Sequence, residues 1–304
     1  MRLPIPPPSL PKSTTKNKVL TYYIAQVSVG HYENFPVASL LLPRALREPV
    51  GVIYRFARSA DDFADEGNDP PATRLANLNG FRLQLEGIKS GRPPPGTPLF
   101  ADLARIVSEH GLPLQLFHDL VDAFSQDVVK QRYENFAEVL DYARRSANPV
   151  GRLLLHLFGK NTPENCACSD RICSALQIIN FWQDVEIDFA KDRIYLPQDD
   201  MRRFGVAEEQ IAARRCDPPF QALMRFQVER ARSMMLEGAP LLRHLEGRFR
   251  LEIAITVQGG LRILEKLENA GYDMFRHRPV HRWFDWPMLF MKALKTGSGP
   301  VFPS

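Results

Sequence analysis

Apolar residues recur at spacings of three and four through almost every segment of this chain, and no stretch alternates apolar and polar residues as a half-buried strand does. That period confines the chain to helices. It predicts them at 36–42, 50–66, 73–89, 97–110, 113–131, 136–158 (interrupted at Asn148-Pro149), 165–190, 207–215, 219–244 and 248–270. Breakers separate them: "GRPPPGTP" at 91–98, "GLP" at 111–113, "GKNTPEN" at 159–165 and "DPP" at 217–219. No separator is long enough to divide two cores, and no segment repeats another. One all-α domain is expected over 21–280, after a Pro- and Lys-rich leader over 1–20 that reads as disordered and before an amphipathic tail over 281–304.

With 304 residues, 44% of them hydrophobic, the chain can bury a sizeable core. Its net charge of +4 is too dispersed to argue for nucleic acid, and suits an anionic substrate or an anionic membrane surface. Four cysteines do not make a disulfide framework. Cys166, Cys168 and Cys173 lack the paired spacing of a zinc site and read as reduced thiols near a helix start. His110, His118, His156 and His244 read as structural, and His277 and His281 form no ligand spacing. The leader lacks the apolar core of a signal peptide, and no run reaches the ~18 apolar residues of a membrane span. A cytoplasmic protein is expected, with peripheral contact to the inner face of the membrane an open alternative.

The stretch "YRFARSADDFADEGN" puts Asp61, Asp62, Asp65 and Glu66 into six positions. Acids four apart on a helix repel by roughly 0.2–0.5 kcal/mol per pair, so something must offset the cost. Read at spacings of four, three and four, one face carries Tyr54, Arg58, Asp61 and Asp65, hemmed by Ile53, Phe56, Ala57, Ala60, Phe63 and Ala64. The segment "SALQIINFWQDVEIDFAKDRIYLP" repeats the design with Gln177, Asn180, Asp184 and Asp188 flanked by Leu176, Ile178, Ile179, Phe181, Trp182, Val185, Ile187 and Phe189. Carboxylates on such apolar helices face an interior cavity. Two D-x-x-x-D pairs there ask for hard cations, and Mg²⁺ binds through a few carboxylates and is completed by substrate phosphate and water. Arg58 and Arg193 would supply fixed positive charge to a diphosphate held between the stripes. Asp62 and Glu66 lie off the stripe.

"RSADDFAD" and "QIINFWQDVEIDFAKDRIYLP" resemble the two aspartate-rich signatures of the squalene/phytoene synthase family, and the similarity runs over roughly 28–278. "ENFPVAS", "RRSANPVG" and "NFWQDV" are most similar to the branch of hydroxysqualene synthases in the bacterial hopanoid pathway. The resemblance implies the all-α isoprenoid synthase bundle with a central cavity and two or three Mg²⁺ ions. Asp61 and Asp65 match the first metal motif, Asp184 and Asp188 the second. Arg58, Tyr54, Gln177, Asn180, Arg193 and Tyr195 fall on positions lining the diphosphate and prenyl site, and His31, Asn34 and Phe35 on the segment that caps it. Two departures bear on the reaction. Arg144 stands where condensing relatives have a tyrosine, which makes it a candidate for contact with diphosphate or water, and Gln183 replaces the usual arginine.

The implied reaction takes presqualene diphosphate and water to hydroxysqualene and diphosphate, between a presqualene diphosphate synthase and a hydroxysqualene reductase. No glycine-rich dinucleotide fingerprint suggests a reduction step in this chain. Two rivals stand beside it. One is a condensing synthase joining two farnesyl diphosphates into presqualene diphosphate or a carotenoid precursor; the other is a non-catalytic lipid-binding member of the fold. The tail "HRWFDWPMLFMKALKTG" crowds aromatics among basic residues, as a membrane contact or as a cover over the bundle.

Overall fold

The computed structural model describes residues 42–65, 67–92 and 98–295. The leader, most of the helix expected at 36–42, the capping residues His31, Asn34 and Phe35, and Glu66 lie outside them. Helices follow one another along the described chain: α1 (Arg44–Asp65), α2 (Pro71–Lys89), α3 (Pro98–His110), α4 (Leu114–Asp127), α5 (Phe136–Ser146), α6 (Asn148–Leu157), α7 (Pro163–Gln183), α8 (Val185–Ala190), α9 (Gln198–Phe204), α10 (Glu208–Ala212), α11 (Pro218–Gly238), a 3₁₀ turn at Ala239–Arg243, α12 (Gly247–Asn269) and α13 (Asp285–Lys295). Among the described residues the one β-type pairing is an isolated parallel bridge between Arg132 and Ile194. The fold is the all-α bundle that the periodicity predicts.

Helix starts follow local chemistry. Thr162 accepts from Asn165 N–H ahead of Pro163, and Asp217 accepts from Phe220 N–H ahead of Pro218. Asn135 caps α5 by accepting from Glu138 N–H, while the Glu138 carboxylate takes Glu134 N–H. Helix α1 begins before the expected residue 50, with Pro49 inside it.

On one side of the bundle, α1 packs on α2, α3 and α4. There Phe56 meets Phe81, Phe100 and Phe117 at centroid separations of 5.2–6.1 Å, tilted or edge to face. On the other side α7 runs along α11, and both contact α12. The approach of α11 to α7 depends on Gly238, where a Cβ would stand 2.7 Å from the Cys168 carbonyl oxygen. Trp182, fully buried, anchors the lower end of α7 by donating from Nε1 to the Gln227 carbonyl at 3.3 Å. Helices α4, α5 and α6 bridge the two sides.

One correction matters for chemistry. The helix expected at 165–190 breaks at Asp184, whose φ of −108° and ψ of 15° leave the helical region. The hydrogen-bond ladder survives the kink: Asp184 N–H donates to Asn180 O at 3.0 Å, and Asp188 N–H donates to Asp184 O at 2.8 Å. The second aspartate pair therefore spans a joint between α7 and α8.

Candidate active site

The two stripes converge. A cavity of about 580 Å³, counting its open mouth, is bounded by Asp61 and Asp65 from α1, Gln177 and Asn180 from α7, and Asp184 and Asp188 at the α7–α8 joint. Phe124 and Asp127 from α4, Tyr142 and Ser146 from α5, Phe181, Arg193 and Tyr195 complete it. The carbon lining is aromatic, with no Leu or Ile among the described residues of the wall.

Arg193 is placed by the turn after α8. Asp192 adopts a positive φ of 58°, a conformation that Asp tolerates better than most residues. Arg132 locks that turn: its guanidinium donates to the Asp192 carbonyl at 2.6 Å and pairs with the Asp192 carboxylate at 2.9 Å. Ile194 N–H then donates to Gln131 O at 2.9 Å. The turn directs Arg193 to Asp65 Oδ1 at 2.5 Å and to the Asp127 carbonyl at 3.2 Å. Lys191 reaches the other Asp65 oxygen at 3.1 Å.

These cations divide the carboxylates into two kinds. Burial alone would raise Asp65, but Arg193 and Lys191 outweigh it and hold its carboxyl below the ordinary range. Asp61 has less help. Burial, reinforced by Asp65, pushes it up to about 7 against the pull of Arg58. Asp188 is likewise lifted well above the carboxylate range by burial and by Asp184. Arg58 sits at the rim, 2.7 Å from Asp62 and 3.5 Å from Asp61, so the off-stripe Asp62 serves as its partner.

The floor contains a group that the motifs do not include. Asp127, at the last turn of α4, is buried and accepts from Tyr142 OH at 2.5 Å and Tyr195 OH at 3.3 Å. Burial, opposed by Arg193, pushes its carboxyl up to about 7. Burial and the Asp127 charge together raise both phenols well above 10. Tyr195 stacks on Phe181 with centroids 3.7 Å apart and planes 6° apart. Ser146 faces the cavity with a buried hydroxyl that has no hydrogen-bond partner among the described residues, which suits a polar guest or water.

Arg144 does not join the site. It is half exposed on the outer side of α5 and pairs with Asp141 at 2.8 Å. Tyr142, two residues earlier, faces the cavity instead, so the tyrosine expected to be missing near 144 is present at 142. Tyr54 is half-buried one turn before Arg58 and does not reach the cavity wall. Besides Asp127, the sequence reading missed Lys191 and Arg278. Arg278 grips Asp184 with two bonds, Nε to Oδ1 at 2.5 Å and Nη2 to Oδ2 at 3.2 Å. Gln183, buried beside it, donates to the Pro279 carbonyl at 2.7 Å and so fixes the segment that carries Arg278.

A model of the squalene/phytoene synthase family matches residues 29–285. The hydroxysqualene synthase of Rhodopseudomonas palustris is 33% identical over 239 residues, covering 78% of this chain and 80% of that protein. The phytoene synthase of Thermus thermophilus is 30% identical over 282 residues, covering 92% and 94%. Among solved structures, squalene synthase HpnC from Alicyclobacillus acidocaldarius superposes with a TM-score of 0.74 at 34% identity, covering 83% of this chain and 94% of that one. A dehydrosqualene synthase superposes with a TM-score of 0.78 at 21% identity, a likeness of fold alone. Matched over most of its length at this level of identity, the chain belongs to the squalene/phytoene synthase family.

Proposed function

We propose that the chain is a hydroxysqualene synthase, converting presqualene diphosphate and water to hydroxysqualene and diphosphate. The observation that carries this reading is the cavity itself, with acids and cations along its walls and stacked aromatics and a proton acceptor at its floor. Relatives with that name are 32–33% identical over most of the chain. Gln183 adds support, since it places a neutral amide beside Asp184 where condensing relatives are expected to carry an arginine. The exposed Arg144 offers no support either way.

The donor set fits Mg²⁺. It is all oxygen, and its members come as pairs on facing walls. Among the described residues no three acids, histidines or cysteines converge on one point, so substrate oxygens and water would have to complete the coordination of an ion. Burial and, after it, a neighbouring carboxylate raise both Asp61 and Asp188, a cost that a cation relieves. Asp61, Asp65, Asp184 and Asp188 would hold Mg²⁺, which supplies charge neutralisation to the departing diphosphate.

The chain's own residues supply the rest. Arg193 and Lys191, fixed by the 191–193 turn, and Arg58 at the rim stabilise negative charge as the carbon–oxygen bond breaks and its electron pair leaves with diphosphate. The faces of Phe181 and Tyr195 stabilise the rearranging carbocation beside them. Water forms the new carbon–oxygen bond; Ser146 orients it, and Asp127 takes the released proton. A condensing synthase uses two farnesyl diphosphates and needs no water. Separate incubations with presqualene diphosphate and with farnesyl diphosphate, with diphosphate release as the readout, distinguish the two.

A further inference from the structure

The C-terminal segment carries a surface that the cavity chemistry does not use. Helix α13 lies on α12 through buried Leu289 and Ala293. Asp285, fully buried at its first turn, pairs with Arg262 at 3.1 Å and Lys266 at 2.5 Å and accepts Arg282 N–H at 2.7 Å. The tail is therefore a cover over the bundle, as one sequence reading has it. The outward face is apolar nonetheless. Trp283 is 82% exposed, and Phe284, Trp286, Phe290, Met291 and Leu294 are exposed around it. Trp286, Phe290 and Leu294 stand four apart on one line of the helix. Scattered apolar residues need no explanation on a protein surface, but this many exposed on one short segment mark an interaction site.

The exposed charges on the segment itself are basic, and Lys292 pairs with Glu265 of α12 at 3.4 Å. Arg282 and Lys295 are exposed and Lys292 is half-buried, while the segment's one acid, Asp285, is internal. We propose that this face docks the protein on an anionic lipid bilayer. Tryptophan rings settle at the headgroup boundary, and lysine and arginine are attracted to anionic headgroups. A second copy of this chain would instead bring the same positive charge against itself. No described helix is long and apolar enough to cross a membrane, so the docking is peripheral.

The face is also coupled to the catalytic wall. Along one strap, Arg278 holds Asp184, Pro279 accepts from Gln183, and Val280 accepts from Lys266 at 2.6 Å, before Asp285 begins α13. Docking through α13 would thus hold the second aspartate pair in a fixed relation to the bilayer.

Flotation of the full-length protein tests this, with vesicles of phosphatidylglycerol and phosphatidylcholine against vesicles of phosphatidylcholine alone. The protein should float with the anionic vesicles and do so much less with the neutral ones. A Trp283→Ser, Trp286→Ser, Phe290→Ser variant should lose about tenfold or more of its binding with circular dichroism unchanged. An Arg282→Glu, Lys295→Glu variant keeps the apolar face and should lose the preference for anionic vesicles, so it decides the matter if the first variant misfolds. Failure of the wild type to float, or equal flotation of wild type and variants, would overturn the proposal. A wild-type dimer by light scattering that the triple substitution dissociates would also overturn it, by assigning the face to a second copy.

Discussion

Tyr142 donates its hydroxyl to Asp127 at 2.5 Å inside the bundle, and Tyr195 donates to the opposite oxygen of the same carboxylate. Two phenols thus hold one acid in place at the floor of the cavity. With burial lifting Asp127 to about 7, its charge changes near neutral pH.

Stability should record that group. The folded pKa of about 7 lies above the ordinary 3.8, so between these values the folded protein keeps a proton that the unfolded chain has lost. Stability therefore falls as pH rises through this window, and the loss is complete above about 7. Asp61 contributes with the same sign. Asp127→Asn keeps an acceptor for the tyrosines without the charge. Measured calorimetrically in chelator, its Tm should exceed that of wild type at pH 8, with the difference shrinking as pH falls and closing only below the ordinary value of 3.8. Turnover of the variant should fall. A variant no more stable than wild type at pH 8 would contradict the assignment.

Two arginines should behave oppositely. Arg193 binds Asp65 and the Asp127 carbonyl at the cavity wall, and Arg193→Ala should lower kcat by about 100-fold or more. Arg144 pairs with Asp141 in solvent, and Arg144→Ala should leave kcat and KM unchanged. Steady-state kinetics of both purified variants, with circular dichroism as control, checks the pair.

Arg278 occupies both oxygens of Asp184, so it must yield or share them when Asp184 holds a cation. Chelator should abolish turnover and Mg²⁺ should restore it. Arg278→Ala should lower the Mg²⁺ concentration needed for half-maximal rate. A rise instead would mean that Arg278 serves the substrate, and unaffected turnover in chelator would remove the metal from the account.

The parts of this site that could be read from sequence are those carried by local period. Asp61, Asp65, Gln177 and Asn180 lie on regular helices whose apolar flanks are mostly buried, and spacing alone puts them on one face; Phe63 and, past the kink, Ile187 are the flank residues that the structure leaves exposed. Asp127 had a signal too, because Leu120, Phe124 and Asp127 continue one buried line at spacings of four and three. An acid ending an apolar stripe deserved the same reading as the motif aspartates. Arg144 failed for a geometric reason. Two residues turn a helix by about 200°, so Tyr142 and Arg144 lie on nearly opposite sides of α5. The kink at Asp184 left no trace, since its hydrogen bonds to Asn180 and Asp188 are those of a continuous helix. Nor could Arg278 be found, because its partner lies 94 residues away and nothing local links them. Helix α9 is seven residues of mostly polar sequence, too short for a period to register. In α13, Pro287 masked a helix whose buried side is only Asp285, Leu289 and Ala293.

The origin of the product's oxygen tests the central claim most directly. Purified protein is incubated with presqualene diphosphate and Mg²⁺ in ¹⁸O-water, and the alcohol is examined by mass spectrometry. Capture of the carbocation by water in this cavity predicts hydroxysqualene carrying one ¹⁸O, with diphosphate released in equal amount and no change on adding a nicotinamide reductant. Release of diphosphate without a labelled alcohol, or efficient conversion of farnesyl diphosphate supplied alone, would contradict it.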